Sequence, residues 1–311
     1  MLLLMLLLAA TLAPSLGDAG SCEGRKVALV TGGSRGIGKG ISEALAEAGM
    51  DIVLGFNSDR EAAEATATDL STKYGTRCVC VGGDCSLPET RDKYFKAVDE
   101  EFGGQLNALV HNAGQYVGIT SDNVDTLEDR LLKFGDSSLL LTDGSVDLST
   151  MRYYLKMYGE AWADLAERSL ARMPDGDGHI VGISSPGCNA VVQPKPAYGM
   201  PGAGKSLMEY SMRLFAIAAG PRGINVNVVV PGVTFSDAWR RLSVKHGGPD
   251  DFSIAEGFAA KMPMQRAASP REIGDVVRFL CSKGGAYITG VSLPVDGGLH
   301  LGRVEQQQPR K

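Results

Sequence analysis

The chain has no excess of positive charge. Among its 311 residues, 31 Lys and Arg stand against 36 Asp and Glu, a net charge of −5. With a pI near 5.5, no basic surplus exists to neutralise phosphates, which argues against a nucleic-acid partner. The four His are scattered and give no metal-ligand spacing, so no metal is expected. No Asn-x-Ser/Thr sequon occurs, which is unexpected for a secreted chain. No internal repeat or low-complexity tract interrupts the sequence. The one long apolar run, Met1 to Ala13, is short for a membrane span and has the length of a signal-peptide core. It lacks a basic flank, Pro14 interrupts it, and small residues allow cleavage after Ala19. Residues 1–19 therefore read as a signal peptide or N-terminal anchor, with a mis-assigned start as the other reading. A signal peptide implies the secretory pathway or an endomembrane lumen; plastid and cytoplasm are the alternatives. The six Cys, with Cys78 and Cys80 on one face of a strand, read as buried thiols.

What is present is a globular composition, 44% apolar and 22% charged, with 40 Gly to serve many tight turns. The length suits one large α/β domain or two small ones. The chain is organised around Val27 to Gly38. Val27–Val30 reads as a buried strand, a glycine turn follows, and Ile41, Ala44, Leu45 and Ala48 mark one face of a helix. Gly49 is placed to end that helix in a left-handed cap. Strand, turn and helix start make an anion site, at which glycines let a pyrophosphate approach the backbone. The motif is T-G-x-x-x-G-x-G on Gly32, Gly36 and Gly38.

The pattern continues with strands at 51–56, 77–81, 106–110, 179–183, 224–230 and 291–295, and helices between. It predicts a single Rossmann-like domain over 24–302, α/β with a doubly wound parallel sheet of about seven strands. Residues 303–311 read as a polar tail. Two capping boxes are expected, Ser86-x-x-Glu89 and Ser269-x-x-Glu272, and one helix over 150–173. The long connection 115–150 follows a strand's carboxyl end, where ligands bind in open sheets; it reads as a substrate-covering segment or a surface insertion. At the end of the second strand, Asn57 and Ser58 stand where an acidic residue would favour NAD. With Arg35 and Arg60 nearby, this suits a 2′-phosphate and hence NADPH.

Thr31-Gly32-x-x-x-Gly36-x-Gly38, Asp84, Asn112-Ala113-Gly114, Ser185, Tyr198, a downstream Lys, Pro231-Gly232 and Val295-Asp296-Gly297-Gly298 together resemble the short-chain dehydrogenase/reductase family. The resemblance implies a nicotinamide cofactor and a homotetramer or homodimer. It implies catalytic roles for Tyr198, Lys205 and Ser185. Tyr198 would meet the substrate oxygen, Ser185 would hydrogen-bond it, and the Lys205 ammonium would lower the phenol's pKa. Cofactor contacts would come from Gly32, Ser34, Arg35, Gly36, Ile37 and Gly38 in the first turn. Asn57, Ser58, Arg60, Asp84, Cys85, Asn112, Ala113 and Gly114 would follow. Pro231, Gly232, Val233, Thr234 and Ser236 would approach the nicotinamide, beside Tyr198 and Lys205.

Two departures from the family pattern stand out. The usual Y-x-x-x-K position is Gly202, and Lys205 lies at Y-x6-K, the spacing of enoyl-acyl-carrier-protein reductases. Lys156 stands where the family has a proton-relay Asn. The expected activity is reduction of the C=C bond of an enoyl thioester, small or carrier-bound. A carbonyl reductase, such as one acting on 3-oxoacyl thioesters, and a non-catalytic nucleotide-binding relative are the alternatives. Gly199 to Ser206 also matches the P-loop pattern, but no convincing strand precedes it. Phe235, Trp239, Phe252 and Phe258, in the segment that is a substrate lid in the family, are candidates to line an apolar pocket.

Overall fold

The computed structural model describes residues 24–114, 135, 139–189, 194, 198–245 and 247–302. The expected leader, the tail, most of the 115–150 connection and Cys22 lie outside the described residues.

Seven strands form one parallel sheet: β1 (Val27–Thr31), β2 (Asp51–Phe56), β3 (Cys78–Gly82), β4 (Ala108–His111), β5 (His179–Ile183), β6 (Asn225–Pro231) and β7 (Ser292–Val295). Their spatial order is β3-β2-β1-β4-β5-β6-β7. The order reverses between β1 and β4, and ligand crevices open at such a switch point. The register pairs Val30 with Leu54 on one side and with Val110 on the other. Helices cover both faces, as an all-parallel sheet requires. They are α1 (Gly36–Glu47), α2 (Arg60–Tyr74), α3 (Pro88–Phe102), α4 (Ser149–Tyr154), α5 (Ala161–Leu170), α6 (Gly199–Ala219), α7 (Asp237–Lys245), α8 (Ser253–Ala259) and α9 (Pro270–Leu280).

Alternation along the strands divides the core in two. Leu29, Val53 and Leu109 face α3, α5 and α6, burying Tyr94, Phe95, Trp162 and Met208. Val30, Ile52 and Leu54 face α1, α2 and α9, burying Ile41, Leu70 and Val277. Helices α1 and α9 cross at glycines: a Cβ on Gly274 would stand 2.1 Å from the Gly40 carbonyl oxygen. Gly49 does adopt a left-handed conformation after α1, at φ +84°.

Two expectations are revised, and two other readings are decided. The Ser86-x-x-Glu89 box does not form: α3 starts after Leu87 without a side-chain cap, and Asp84 Oδ1 takes the Ser86 N–H at 2.8 Å. The Ser269–Glu272 box does form. The single helix expected over 150–173 is broken by a π-helical turn, Leu155–Glu160, between α4 and α5. Gly199 to Lys205 lies inside α6 rather than in a strand-to-helix loop, so the P-loop reading falls.

The amino ends of the strands are tied by a polar latch. Lys26 pairs with Asp177, and Asn107 Nδ2 donates to the same carboxylate at 3.1 Å. Asn107 Oδ1 accepts from Val27 N–H at 3.1 Å. On the neighbouring strands His179 Nδ1 meets Asn225 Oδ1 at 3.0 Å. Asn225 Nδ2 donates to the carbonyls of Leu280 and Gly285.

Candidate active site

A cleft of about 280 Å³ opens at the carboxyl ends of β1, β2 and β4. The glycine turn forms its floor. Gly32 and Gly36 have φ of +64° and +50°, and a Cβ on Gly38 would stand 1.9 Å from the Gly32 carbonyl oxygen. Only glycine permits that approach. The first turn of α1 carries no acidic residue and no side-chain cap, so its N–H groups face the cleft as an anion cradle. These features fit a dinucleotide pyrophosphate.

Of the expected cofactor residues, Gly32, Ser34, Arg35, Gly36, Ile37, Gly38, Asn57, Asp84, Cys85, Asn112, Ala113, Gly114 and Ser236 line the cleft. Others do not. Arg60 is not part of the wall: it pairs with Glu64 at 3.0 Å and lies over the ring of Phe56, which is. Ser58 is not part of the wall. Gly232 packs against β7's end: its Cβ would meet Asp296 Cα at 2.6 Å. Val233 and Thr234 are buried behind the wall, Val233 within a small apolar cluster and Thr234 bonded to the Gly232 carbonyl at 3.2 Å. Arg35 lines the cleft while pairing with Asp59 at 3.3 Å.

Residues that sequence reading missed also line the cleft. Asp237, Ala238 and Arg241, spaced along one face of α7, bring a guanidinium over it. Tyr94, Tyr153 and Met157 close its far side. Apart from Tyr94, these residues lie more than 100 positions beyond the glycine turn, and no local pattern announces them.

At the switch point Thr31 ties β1 to β4. Its Oγ1 accepts N–H bonds from Asn112 at 3.1 Å and Ala113 at 2.9 Å. It also meets His111 Nδ1 at 3.1 Å, while His111 Nε2 meets the Met157 carbonyl at 3.0 Å. A carbonyl can only accept, so Nε2 carries the proton and Thr31 donates to Nδ1. Burial pushes the His111 pKa down to about 4, keeping the ring neutral. Asn112 Nδ2 donates to the Gly32 carbonyl at 2.9 Å, bracing the glycine turn.

Beyond the cleft, the structure brings Ser185, Tyr198 and Lys205 together. Ser185 follows β5, Tyr198 caps the start of α6, and Lys205 lies two turns along that helix. Ser185 Oγ stands 3.1 Å from Tyr198 Oη and accepts from Lys205 Nζ at 2.9 Å. Gly202, the other candidate spacing, offers no side chain, and the ammonium comes from Lys205. Burial pushes the Lys205 pKa down to about 8, with Cys188 and Glu209 opposing that shift. Burial likewise holds the Tyr198 phenol above its ordinary value, with the Ser185 bond acting the other way. The expectation that Lys205 would lower the phenol's pKa is thus corrected: the ammonium is directed at Ser185, and desolvation of the phenol dominates.

Lys156 is exposed on the π-helical turn, where its carbonyl accepts from Ala161 N–H. It does not enter the site. Tyr158, two residues on, does: its ring lies 4.9 Å from Lys205 Nζ. Below Lys205, the buried Glu209 carboxylate accepts from Ser184 Oγ, from Asn189 Nδ2 at 2.7 Å and from Ser292 Oγ at 2.7 Å.

Of the four lid aromatics, Phe235, Trp239 and Phe252 pack on the cluster around Ala255, Ala259 and Met262. Only Phe258 lines a second hollow, of about 480 Å³, with Leu242, Ile254, Gly257 and Lys261. The first three are packing residues rather than pocket lining. Among the described residues no group of His, Cys, Asp and Glu could hold a metal ion, and no helix is long and apolar enough to cross a membrane.

Comparison with known proteins agrees with this geometry. Residues 26–133 match the family described as short chain dehydrogenase, and residues 149–300 match that described as Enoyl-(Acyl carrier protein) reductase. A hydroxynaphthalene reductase-like protein of Metarhizium brunneum is 31% identical over 278 residues, 88% of this chain and 94% of that one. The 1-cyclohexenylcarbonyl-CoA reductase of Streptomyces collinus is 28% identical over 281 residues, 90% of this chain and 89% of that one. Among solved structures, L-sorbose reductase from Gluconobacter frateurii, complexed with NADPH and L-sorbose, superposes with a TM-score of 0.72 at 27% identity. The match covers 89% of this chain and 97% of that one. An angucycline C-6 ketoreductase with bound NADP gives 0.70 at 28% identity, covering 89% and 96%.

Proposed function

The chain belongs to the short-chain dehydrogenase/reductase family of oxidoreductases, and on that premise we propose that it is an NADPH-dependent reductase of an enoyl thioester. The observation that carries this reading is the joint placement of Ser185, Tyr198 and Lys205 on one shared oxygen. The Y-x6-K spacing and the match of residues 149–300 to the enoyl reductase description favour the C=C bond. So does a relative named as a cyclohexenylcarbonyl-CoA reductase.

When bound, the nicotinamide supplies the hydride. The chain's residues do the rest. The glycine turn and the start of α1 would hold the pyrophosphate, and Arg35 and Asn57, which line the same cleft, would take the 2′-phosphate. Tyr198 Oη, kept protonated by burial, donates a hydrogen bond to the substrate carbonyl oxygen as negative charge develops there. Ser185 Oγ offers a second polar contact to that oxygen. Lys205 orients Ser185 and contributes positive potential.

A second reading is carbonyl reduction by the same three residues, favoured by structural neighbours that are a sorbose reductase and a ketoreductase. The test is NADPH oxidation by the full chain with crotonyl and acetoacetyl thioesters in parallel. Faster turnover of crotonyl thioester, lost in Tyr198→Phe and Lys205→Ala, supports the first reading. Turnover of acetoacetyl thioester alone replaces it with the second.

We also propose that the chain forms a homo-oligomer. Helix α6 exposes Leu207, Tyr210, Leu214 and Ile217 in one stripe, with Ile217 75% exposed. Contiguous apolar surface of this kind is typical of an interface between copies.

A further inference from the structure

We infer that Tyr158 is a positioning residue for Lys205, its ring face holding the ammonium in the pose from which Lys205 reaches Ser185. This inference rests on the proposed role of Lys205 in the reduction. It is carried by how closely α6 is packed on the π-helical turn.

The Lys205 Nζ lies 4.9 Å from the centroid of the Tyr158 ring, within the range of a cation–π attraction. Both residues are at least nine-tenths buried, which strengthens that attraction by removing water. The ring is itself fixed. It stacks on Tyr154 at 5.8 Å with the planes 4° apart, and a Cβ on Gly114 would come within 2.6 Å of its hydroxyl oxygen.

The two elements meet through glycines on both sides. A Cβ on Gly204, next to Lys205, would stand 2.5 Å from the Tyr154 carbonyl oxygen and 3.2 Å from the Tyr158 ring. A Cβ on Gly159, next to Tyr158, would stand 2.5 Å from Leu207. Small residues at 159 and 204 thus seat Lys205 over the ring. The π-helical turn adds the remaining constraint, because the Met157 carbonyl is turned to His111 at the end of β4. The ring is therefore registered to the sheet and not to its own helix alone.

Several groups face the Lys205 ammonium. They are Ser185 and Cys188 after β5, Glu209 on α6, His111 from β4, and Tyr158. His111 is neutral, and Glu209 is engaged by three donors. Among these, the Tyr158 ring is the aromatic face against which the ammonium rests. A ring face attracts the charged amine over the neutral one, so it favours the protonated form.

The test is a titration of the Lys205 side-chain nitrogen by NMR on the full chain labelled with 15N-lysine, the signal assigned by its loss in Lys205→Arg. Tyr158→Phe keeps the ring and is expected to leave the midpoint unchanged. Tyr158→Leu removes it and is expected to lower the midpoint by about half to one pH unit. Replacing Tyr158 with trifluorophenylalanine keeps the shape but depletes the ring face of electrons. It is expected to lower the midpoint by about half a unit, and it decides the matter if Tyr158→Leu fails to fold. Unchanged midpoints in the fluorinated variant and in any folded Leu variant overturn the inference. The titration needs no substrate, so failure of the thioester assay would leave it intact and would count against the proposed reaction alone.

Discussion

Lys205 Nζ donates to Ser185 Oγ at 2.9 Å, the same oxygen that Tyr198 Oη meets at 3.1 Å. Ser185 is thus the hinge of the trio. Ser185→Ala removes the shared atom and leaves Tyr198 and Lys205 without it. Turnover is expected to fall by about two to three orders of magnitude, as when one preorganised donor is lost. NADPH binding, followed by fluorescence, is expected to stay within about twofold, since Ser185 is not part of the cofactor cleft wall.

The depressed Lys205 pKa gives the reaction a basic limb. On the proposed role of Lys205, reduction needs the ammonium, which is present below about 8 and lost above it. The rate of NADPH oxidation at saturation is expected to be level at neutral pH and to fall as pH rises through about 8. Stability moves oppositely. Between the folded value and the ordinary lysine value of about 10.4, the unfolded chain binds more protons than the folded one, so this group raises stability as pH increases. A Lys205→Met variant is expected to lose that rise, read as the melting temperature across pH 8 to 10.

Glu209 carries a structural load behind the site. It is buried and holds Ser184 and Asn189, both after β5, and Ser292 of β7. Glu209→Ala strands three polar groups and is expected to cost about 2–4 kcal/mol, measured by urea unfolding. Glu209→Gln keeps acceptor capacity and is expected to lose less than half as much. Equal losses in the two variants would show that the carboxylate's charge, rather than its oxygens, is what matters.

Cofactor choice is expected to separate two arginines. Arg35, in the glycine turn before α1, is paired with Asp59 just after β2, whereas Arg241 reaches the cleft from α7. Arg35→Leu is expected to weaken NADPH about tenfold and to leave NADH nearly unchanged. Asp59→Asn keeps the α2 cap, where Oδ1 accepts from Ala62 N–H at 3.0 Å, but releases Arg35, and is expected to tighten NADPH. Arg241→Gln is expected to weaken both cofactors alike. Calorimetry with each cofactor checks all three variants.

The exposed stripe on α6 gives a test of assembly. Ile217→Asp together with Leu214→Asp places two charges on it and is expected to convert an oligomer to monomer in sedimentation velocity. An unchanged distribution would put the interface elsewhere.

The sheet was legible in the sequence because buried parallel strands are short apolar runs, and Val27–Val30 or Asp51–Phe56 need nothing further. Lys205 is legible as the ammonium because Gly202, at the usual spacing, has no side chain. The π-helical turn was not legible: one extra residue in a helix leaves the apolar period of 151–166 nearly intact. The Ser86 box failed because Asp84, two residues earlier, competes for the same N–H. Charge near a strand end does not say which partner a side chain takes; Arg60 pairs with Glu64, one turn on. Tyr158 and Arg241 reach the site across helix contacts that have no short-range signature.

The latch of Lys26, Asn107, Asp177, His179 and Asn225 closes the amino ends of the strands, at the opposite edge of the sheet from every residue assigned to chemistry. The molecule therefore has a foundation and a workbench, separated by the length of the strands. Drift in the loops of the workbench can change what is reduced while the foundation keeps the chain folded.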